Sequence, residues 1–77
     1  MSKIVSTLDV RTLPPREKHP TIFGLLAALQ AGEALRITND HDPVPLHYQL
    51  EAERPGQYTW LKGENGPEVW TADIVRN

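Results

Sequence analysis

Hydrophobic positions change their spacing along the first third of the chain. Alternation over residues 4–10 predicts a first strand, with core residues Ile4, Leu8 and Val10. Adjacent prolines then end the strand, because proline donates no hydrogen bond to a sheet. Apolar residues next recur at helical spacing, at Ile22, Leu25, Leu26 and Leu29. This spacing predicts a helix over residues 20–31, which His19 would cap and Pro20 would begin. Gly32 would end the helix in the left-handed conformation.

Three further strands complete the predicted sheet. Leu35 and Ile37 alternate with polar residues, which indicates a strand over residues 34–38. A strand–helix–strand crossover is nearly always right-handed and makes its two strands parallel. Residues 57–62 and 68–75 flank a turn sequence and predict the last two strands. The order β-α-β-α-β-β predicts a two-layer α/β sandwich in one domain, a four-stranded mixed sheet with two helices on one face.

The second helix is expected to begin at the end of the sequence NDHDP, residues 39–43. Asp42 is a good N-cap residue, and Pro43 fits the first helical position. The helix would run to about Arg54. Its core-facing residues would be Leu46 and Leu50.

Composition narrows the functional classes. A net charge of -2 supplies no basic field for a phosphate backbone, so nucleic acid is not an expected partner. The lack of cysteine excludes disulfides, thiolate metal sites and sulfur nucleophiles. The N-terminal sequence has no features of a secretory signal, and no apolar run approaches the roughly 20 residues of a membrane helix. We therefore expect a cytoplasmic protein without a membrane partner. No nucleophile or phosphate-loop motif occurs, so no catalytic residue is assigned.

Two loops, each with a histidine ahead of a predicted helix, form the candidate site. His19 and His41 would both lie at the carboxyl ends of neighbouring parallel strands, where open α/β sheets usually bind ligands. The expected ligand-binding residues are Arg11, His19, His41 and Asp42.

Several chemical interpretations of this surface stay open. A transition metal could bind His19, His41 and Asp42, because imidazole and carboxylate groups suit zinc, iron or copper. A small anion could instead bind the histidines and Arg11, helped by the positive ends of two helix dipoles. Alternatively, His19 and Asp42 only cap backbone N–H groups and bind no ligand. No cofactor beyond a possible transition metal is indicated.

Large aromatic side chains indicate a possible protein interface. Tyrosine and tryptophan dominate interface hot spots, and Tyr48 and Trp60 are the candidates in this chain. Trp70 alternates with Ala72 and Ile74 as core residues do, so we predict that it is buried. The expected partner is a protein or a small ligand, and the sequence leaves the oligomeric state open.

Several separated motifs carry a family resemblance. LDVRTLPP resembles the LD-x-R-G-L-x-C-P opening of the small bacterial sulfur carriers of the TusA/SirA group, and AGEALRITND-HDP resembles their GE-x-L-x-V-x-x-D-DP stretch. The elements LDVR, PPREKHP-x-IF, NDHDPVPLHYQLEAERPG and GPEVW resemble the DUF2249 family more closely, over nearly all of residues 8–75. The sulfur carriers have the same β-α-β-α-β-β sandwich. Proteins of the DUF2249 type are often associated with hemerythrin-like domains and with redox or nitrogen-oxide metabolism. The resemblance implies the same context for this chain.

The chain departs from the sulfur carriers at their reactive position. Pro15 stands where the resemblance places the persulfide cysteine, and persulfide chemistry requires a sulfur. The sequence therefore favours a small non-catalytic binding or protein-interaction module. The alternatives are a metal-binding or redox protein that uses His19 and His41, and a sulfur-relay accessory without persulfide chemistry.

Overall fold

A computed structural model describes residues 3–77 of the chain. The elements, in order, are strand β1 (Lys3–Asp9), a 3-10 turn (Val10–Thr12), helix α1 (Pro15–Ala27), strand β2 (Glu33–Asn39), helix α2 (Val44–Glu53), strand β3 (Tyr58–Asn65) and strand β4 (Trp70–Arg76). The predicted order of strands and helices is therefore confirmed. No helix within residues 3–77 has the length and apolarity needed to cross a membrane.

The four strands form one mixed sheet in the order β1-β2-β4-β3. β1 and β2 are parallel, with Leu8 beside Ile37, as the crossover through α1 requires. β4 runs antiparallel to both β2 and β3. On the sheet face away from the helices, Arg36 and Asp73 form two hydrogen bonds of 2.8 and 3.0 Å.

The core lies between the two helices and the sheet face formed by alternate residues of the strands. The buried residues of this single cluster are Val10, Ile22, Phe23, Leu26, Leu29, Leu35, Ile37, Leu50, Tyr58, Ala72 and Ile74. Both helices therefore cover the same face of the sheet, as predicted. Tyr58 is buried although it is polar, because its hydroxyl donates a 3.0 Å hydrogen bond to the carbonyl oxygen of Leu26 in α1.

Helix α1 begins five residues before the predicted start. Pro15, not Pro20, occupies the first helical position, where a missing N–H leaves no hydrogen bond unmade. Pro20 lies inside the helix, and His19 is an internal helix residue one turn from the start rather than a cap. The helix ends at Ala27, and Gly32, with a φ of 85°, instead leads into β2.

Asp42 does not cap helix α2, contrary to the prediction. Pro43 occupies the cap position and makes no side-chain cap hydrogen bond, while its carbonyl oxygen accepts from the N–H of His47 at 3.1 Å. Asp42 therefore lies one residue too early to reach the orphan N–H groups of the first turn. The remainder of the helix agrees with the prediction, since Leu50 is buried and Leu46 packs against the core.

Two hydrophobic residues predicted in the core lie outside it. Ile4 is 39% exposed, because it belongs to an edge strand that is irregular between Ile4 and Ser6. Trp70 is only half-buried. Its indole packs over Gly66 in the β3–β4 turn, and its Nε1–H donates to the carbonyl oxygen of Pro67 at 3.3 Å. The ring therefore covers the turn and does not enter the core.

Candidate functional site

A cleft of about 230 Å³ opens between α1, α2 and the end of β2. Its polar lining residues are Lys18, His19, Asn39, His41 and Gln49. Its apolar walls are formed by Val10, Ile22 and Leu46, together with Pro15, Pro43 and Pro45. The two predicted histidines thus lie on one cleft, although His19 reaches it from inside a helix.

His19 is held in a fixed orientation by its neighbours. Its ring stacks on Phe23, with centroids 4.2 Å apart and planes 10° from parallel. Its Nδ1 lies 2.9 Å from Nε2 of Gln49, across the cleft on α2. An amide nitrogen only donates, so Nδ1 accepts and the proton of the neutral ring lies on Nε2. Nε2–H of His19 is therefore a hydrogen-bond donor.

Asn39 is the buried polar residue of the site, with only 7% of its surface exposed. It ends β2 on the core-facing side, and its Oδ1 accepts the N–H of Asp40 at 2.9 Å. Its Nδ2 makes no hydrogen bond with any residue that the structure describes. Within residues 3–77, however, no buried side-chain nitrogen or oxygen lacks a partner. Nδ2 is therefore in contact with solvent, and because Asn39 lines the cleft, its N–H groups are available to an acceptor there.

His41 is oriented by its neighbour in the loop. Its Nδ1 donates a 2.7 Å hydrogen bond to Oδ1 of Asp40, and both side chains are exposed. This hydrogen bond, with a smaller contribution from the charge of Lys18, lowers the pKa of the Asp40 carboxyl group. In the neutral ring Nε2 then carries the lone pair, the opposite arrangement from His19.

Two of the predicted ligand-binding residues lie outside the cleft. Arg11 turns back onto Asp9, with hydrogen bonds of 2.9 and 2.8 Å from Nε and Nη2. This pair lowers the pKa of the Asp9 carboxyl group and raises that of Arg11. Asp42 is half-buried in the loop and does not line the cleft.

Three polar residues that the sequence does not single out, Lys18, Asn39 and Gln49, also line the cleft. One signal was available for Asn39. It continues the inward alternation of Leu35 and Ile37, which places a polar amide at a core-facing position of β2. Lys18 and Gln49 carry no such signal, because a polar residue on a helix is ordinarily solvated.

Metal-binding geometry is weak at this site. Among the residues that the structure describes, no group of three or more histidine, aspartate or glutamate side chains could hold a metal ion together. His19 and His41 are the two imidazoles available, and His19 has a protonated Nε2 as it is oriented here. A metal would therefore need the Gln49 amide to rotate so that the proton of His19 moves to Nδ1.

The predicted interface residues differ in exposure. Tyr48 on α2 is 71% exposed. Trp60 is half-buried against the core, and the ring of His47 stacks on it with centroids 4.6 Å apart. Tyr48 is thus open to a partner, whereas one face of Trp60 is already covered.

Comparison with known proteins agrees with the family resemblance. The sequence matches the family described as "Uncharacterized conserved protein (DUF2249)" over residues 7–76, which cover most of the chain. No curated protein and no solved structure matches it. The match includes every helix and strand described above except the first residues of β1. This chain is a member of the DUF2249 family.

Proposed function

We propose that this domain is a non-catalytic binding module that holds a small ligand in the cleft between α1 and α2. The observation that carries the proposal is Asn39, a residue only 7% exposed that lines the cleft and whose Nδ2 binds no other residue that the structure describes. An amide N–H group that contacts solvent but no other described residue can exchange its water for an acceptor on a ligand. His19 and Gln49 complete a set of polar groups around it.

The lining of the cleft favours binding over catalysis. The described residues that line it include no serine, threonine, cysteine, aspartate or glutamate side chain. A hydroxyl, thiol or carboxylate nucleophile and a pair of carboxylates for acid–base work are therefore missing from its walls. A few polar groups set in apolar walls are typical of a site that orients a ligand.

The size of the cleft favours a compact ligand. Its volume of about 230 Å³ lies below the roughly 300–1,000 Å³ of sites for drug-sized molecules. We therefore expect the ligand to have few atoms and to contact both the polar groups and the walls.

The test is a titration of ¹⁵N-labelled protein with a library of compact fragments, followed through backbone and side-chain amide signals. We expect saturable shifts at Lys18 and at the side-chain amides of Asn39 and Gln49. Gln49→Ala should weaken binding several-fold, because it removes a lining amide and frees the His19 ring. Gln57→Ala is the matched control, since Gln57 is exposed and lies outside the cleft. A library without one saturable ligand at these residues would refute the proposal.

A second candidate function is metal binding by His19 and His41. One observation favours it: the Asp40 carboxylate orients the His41 ring as carboxylates orient metal-binding histidines. Calorimetry with zinc, copper and ferrous iron on untagged protein tests this candidate. Stoichiometric binding that is lost in both His19→Ala and His41→Ala would favour it over the fragment site.

A further inference from the structure

We infer that the ligand of this cleft is a compact organic anion, a small carboxylate bound by the Lys18 ammonium and the N–H groups of His19 and Asn39. The inference rests on the proposed function and specifies its ligand. It differs from a generic anion site at helix ends, because the donors here belong to side chains of residues that line one cleft.

The charges around the cleft select against a cation. Among the described residues that line the cleft, Lys18 is the one that is formally charged. Lys18 forms no ion pair with any residue that the structure describes. The nearby carboxylates are already engaged. Asp9 is bound by Arg11 at 2.8 Å, and Asp40 accepts from His41 at 2.7 Å. The cleft walls themselves present an ammonium group and neutral donors but no carboxylate to an incoming anion, although Asp40 keeps its negative charge near Lys18 outside the lining.

The backbone at the cleft contributes few donors, which leaves recognition to the side chains. Three of the lining residues are Pro15, Pro43 and Pro45, at the starts of the two helices, and proline carries no N–H group. Free N–H groups at helix N-termini are what ordinarily bind phosphate or sulfate. The loss of three of these donors favours a monoanion held by one ammonium and two neutral donors over a multiply charged oxoanion.

The apolar walls indicate that the anion has a hydrocarbon part. Leu46 is half-buried, and Pro15 and Pro45 are exposed, so apolar surface of the walls still meets solvent. A short apolar chain or small ring attached to the carboxylate would remove more of this apolar surface from water. An inorganic anion would leave these walls wet.

The discriminating experiment compares ligands of nearly equal shape and different charge. Butyrate, butyramide, butylammonium and inorganic phosphate are titrated into labelled protein at one ionic strength, and shifts are followed at the Asn39 side-chain amide. We expect butyrate to bind about fivefold or more tightly than butyramide, since charge-assisted hydrogen bonds are about twice as strong as neutral ones.

If butyramide or butylammonium binds as tightly as butyrate, the anion inference is overturned while the binding function stands. If phosphate binds more tightly, the organic part of the inference is overturned. If no probe binds here and the fragment library also fails, the proposed function is refuted as well.

A pair of charge-matched variants separates a specific contact from a general change of field. Lys18→Gln should weaken butyrate binding about three- to fivefold, the range of a partly exposed ion pair, and leave butyramide binding unchanged. Lys62→Gln removes the same charge from an exposed position on β3, outside the cleft, and should change neither affinity. Equal butyrate affinities for Lys18→Gln and Lys62→Gln would overturn the role of Lys18.

Discussion

Removing a single hydroxyl group tests how the last two strands are joined to helix α1. Tyr58 lies in β3 with 4% of its surface exposed, and its hydroxyl donates to the Leu26 carbonyl oxygen at 3.0 Å. This hydrogen bond spans 32 residues of sequence and joins the outermost part of the sheet to the end of α1. Tyr58→Phe removes this bond, together with a longer one of 3.4 Å that the hydroxyl accepts from Nη1 of the partly exposed Arg54, and keeps the ring that packs in the core.

The expected destabilisation follows from what happens to each partner. The Leu26 carbonyl oxygen also accepts the N–H of Leu29 at 3.1 Å, so it is not left unpaired in the variant. The loss is then close to the net value of one hydrogen bond, about 1 kcal/mol, and not the larger penalty of an orphaned buried group. In a domain of this size that free energy corresponds to a Tm lowered by roughly 4–8 °C.

Urea unfolding followed by circular dichroism measures this change. With a urea m-value of about 1 kcal/mol/M for a small domain, the midpoint should fall by about 1 M at constant m. Tyr48→Phe is the matched control: Tyr48 is 71% exposed, and its loss of a hydroxyl should change the free energy of unfolding by less than about 0.5 kcal/mol. If both variants unfold at the same urea concentration, the Tyr58 hydrogen bond contributes nothing to stability and the reasoning is wrong.

Three further predictions concern the core, helix α1 and a surface ion pair. Leu50 is 1% exposed, so Leu50→Ala should lower the free energy of unfolding by about 2–5 kcal/mol. A loss of less than about 1 kcal/mol, measured by urea unfolding, would contradict the packing described. Gly24→Ala should raise the free energy of unfolding by up to about 1 kcal/mol, because the added methyl group meets no atom within 4 Å and alanine favours the helix. A lower Tm for this variant would contradict the prediction. The Arg11 hydrogen bonds lower the pKa of Asp9 below its ordinary 3.8, so the stability they add is present above that pH and is lost as the pH falls through the lowered value. Carboxyl NMR titration should show this depressed midpoint, and Arg11→Gln should raise it; an unchanged midpoint would exclude the pair in solution.

The order of elements was predictable because each core-facing residue repeats at the period of its element. Leu35 and Ile37 alternate in a strand, and Ile22 and Leu26 recur one helical turn apart. The start of α1 was not predictable by the same means. Residues 15–20 contain no hydrophobic residue other than proline, so no apolar period marks the first turn, and two prolines compete for the first position.

The site was only partly predictable, because it depends on distances between elements. The sequence predicts that His19 and His41 lie at the same end of two parallel strands, and in the structure both residues line the cleft. Arg11 looked equally suitable in sequence, yet Asp9 lies two residues away and binds its guanidinium group in a local turn. Gln49 is 30 residues from His19, so only packing of α2 beside α1 brings the two side chains together.

The prolines at the cleft have a consequence for how a ligand would enter it. Pro15, Pro43 and Pro45 have fixed φ angles and side chains without rotamers to lose, so these parts of the wall are already ordered before binding. A ligand would then be met by a preorganised surface, and little of its binding free energy would be spent on ordering the protein. We expect the free and ligand-bound backbones to differ by about 1 Å or less around the cleft, and association to proceed without a slow conformational step.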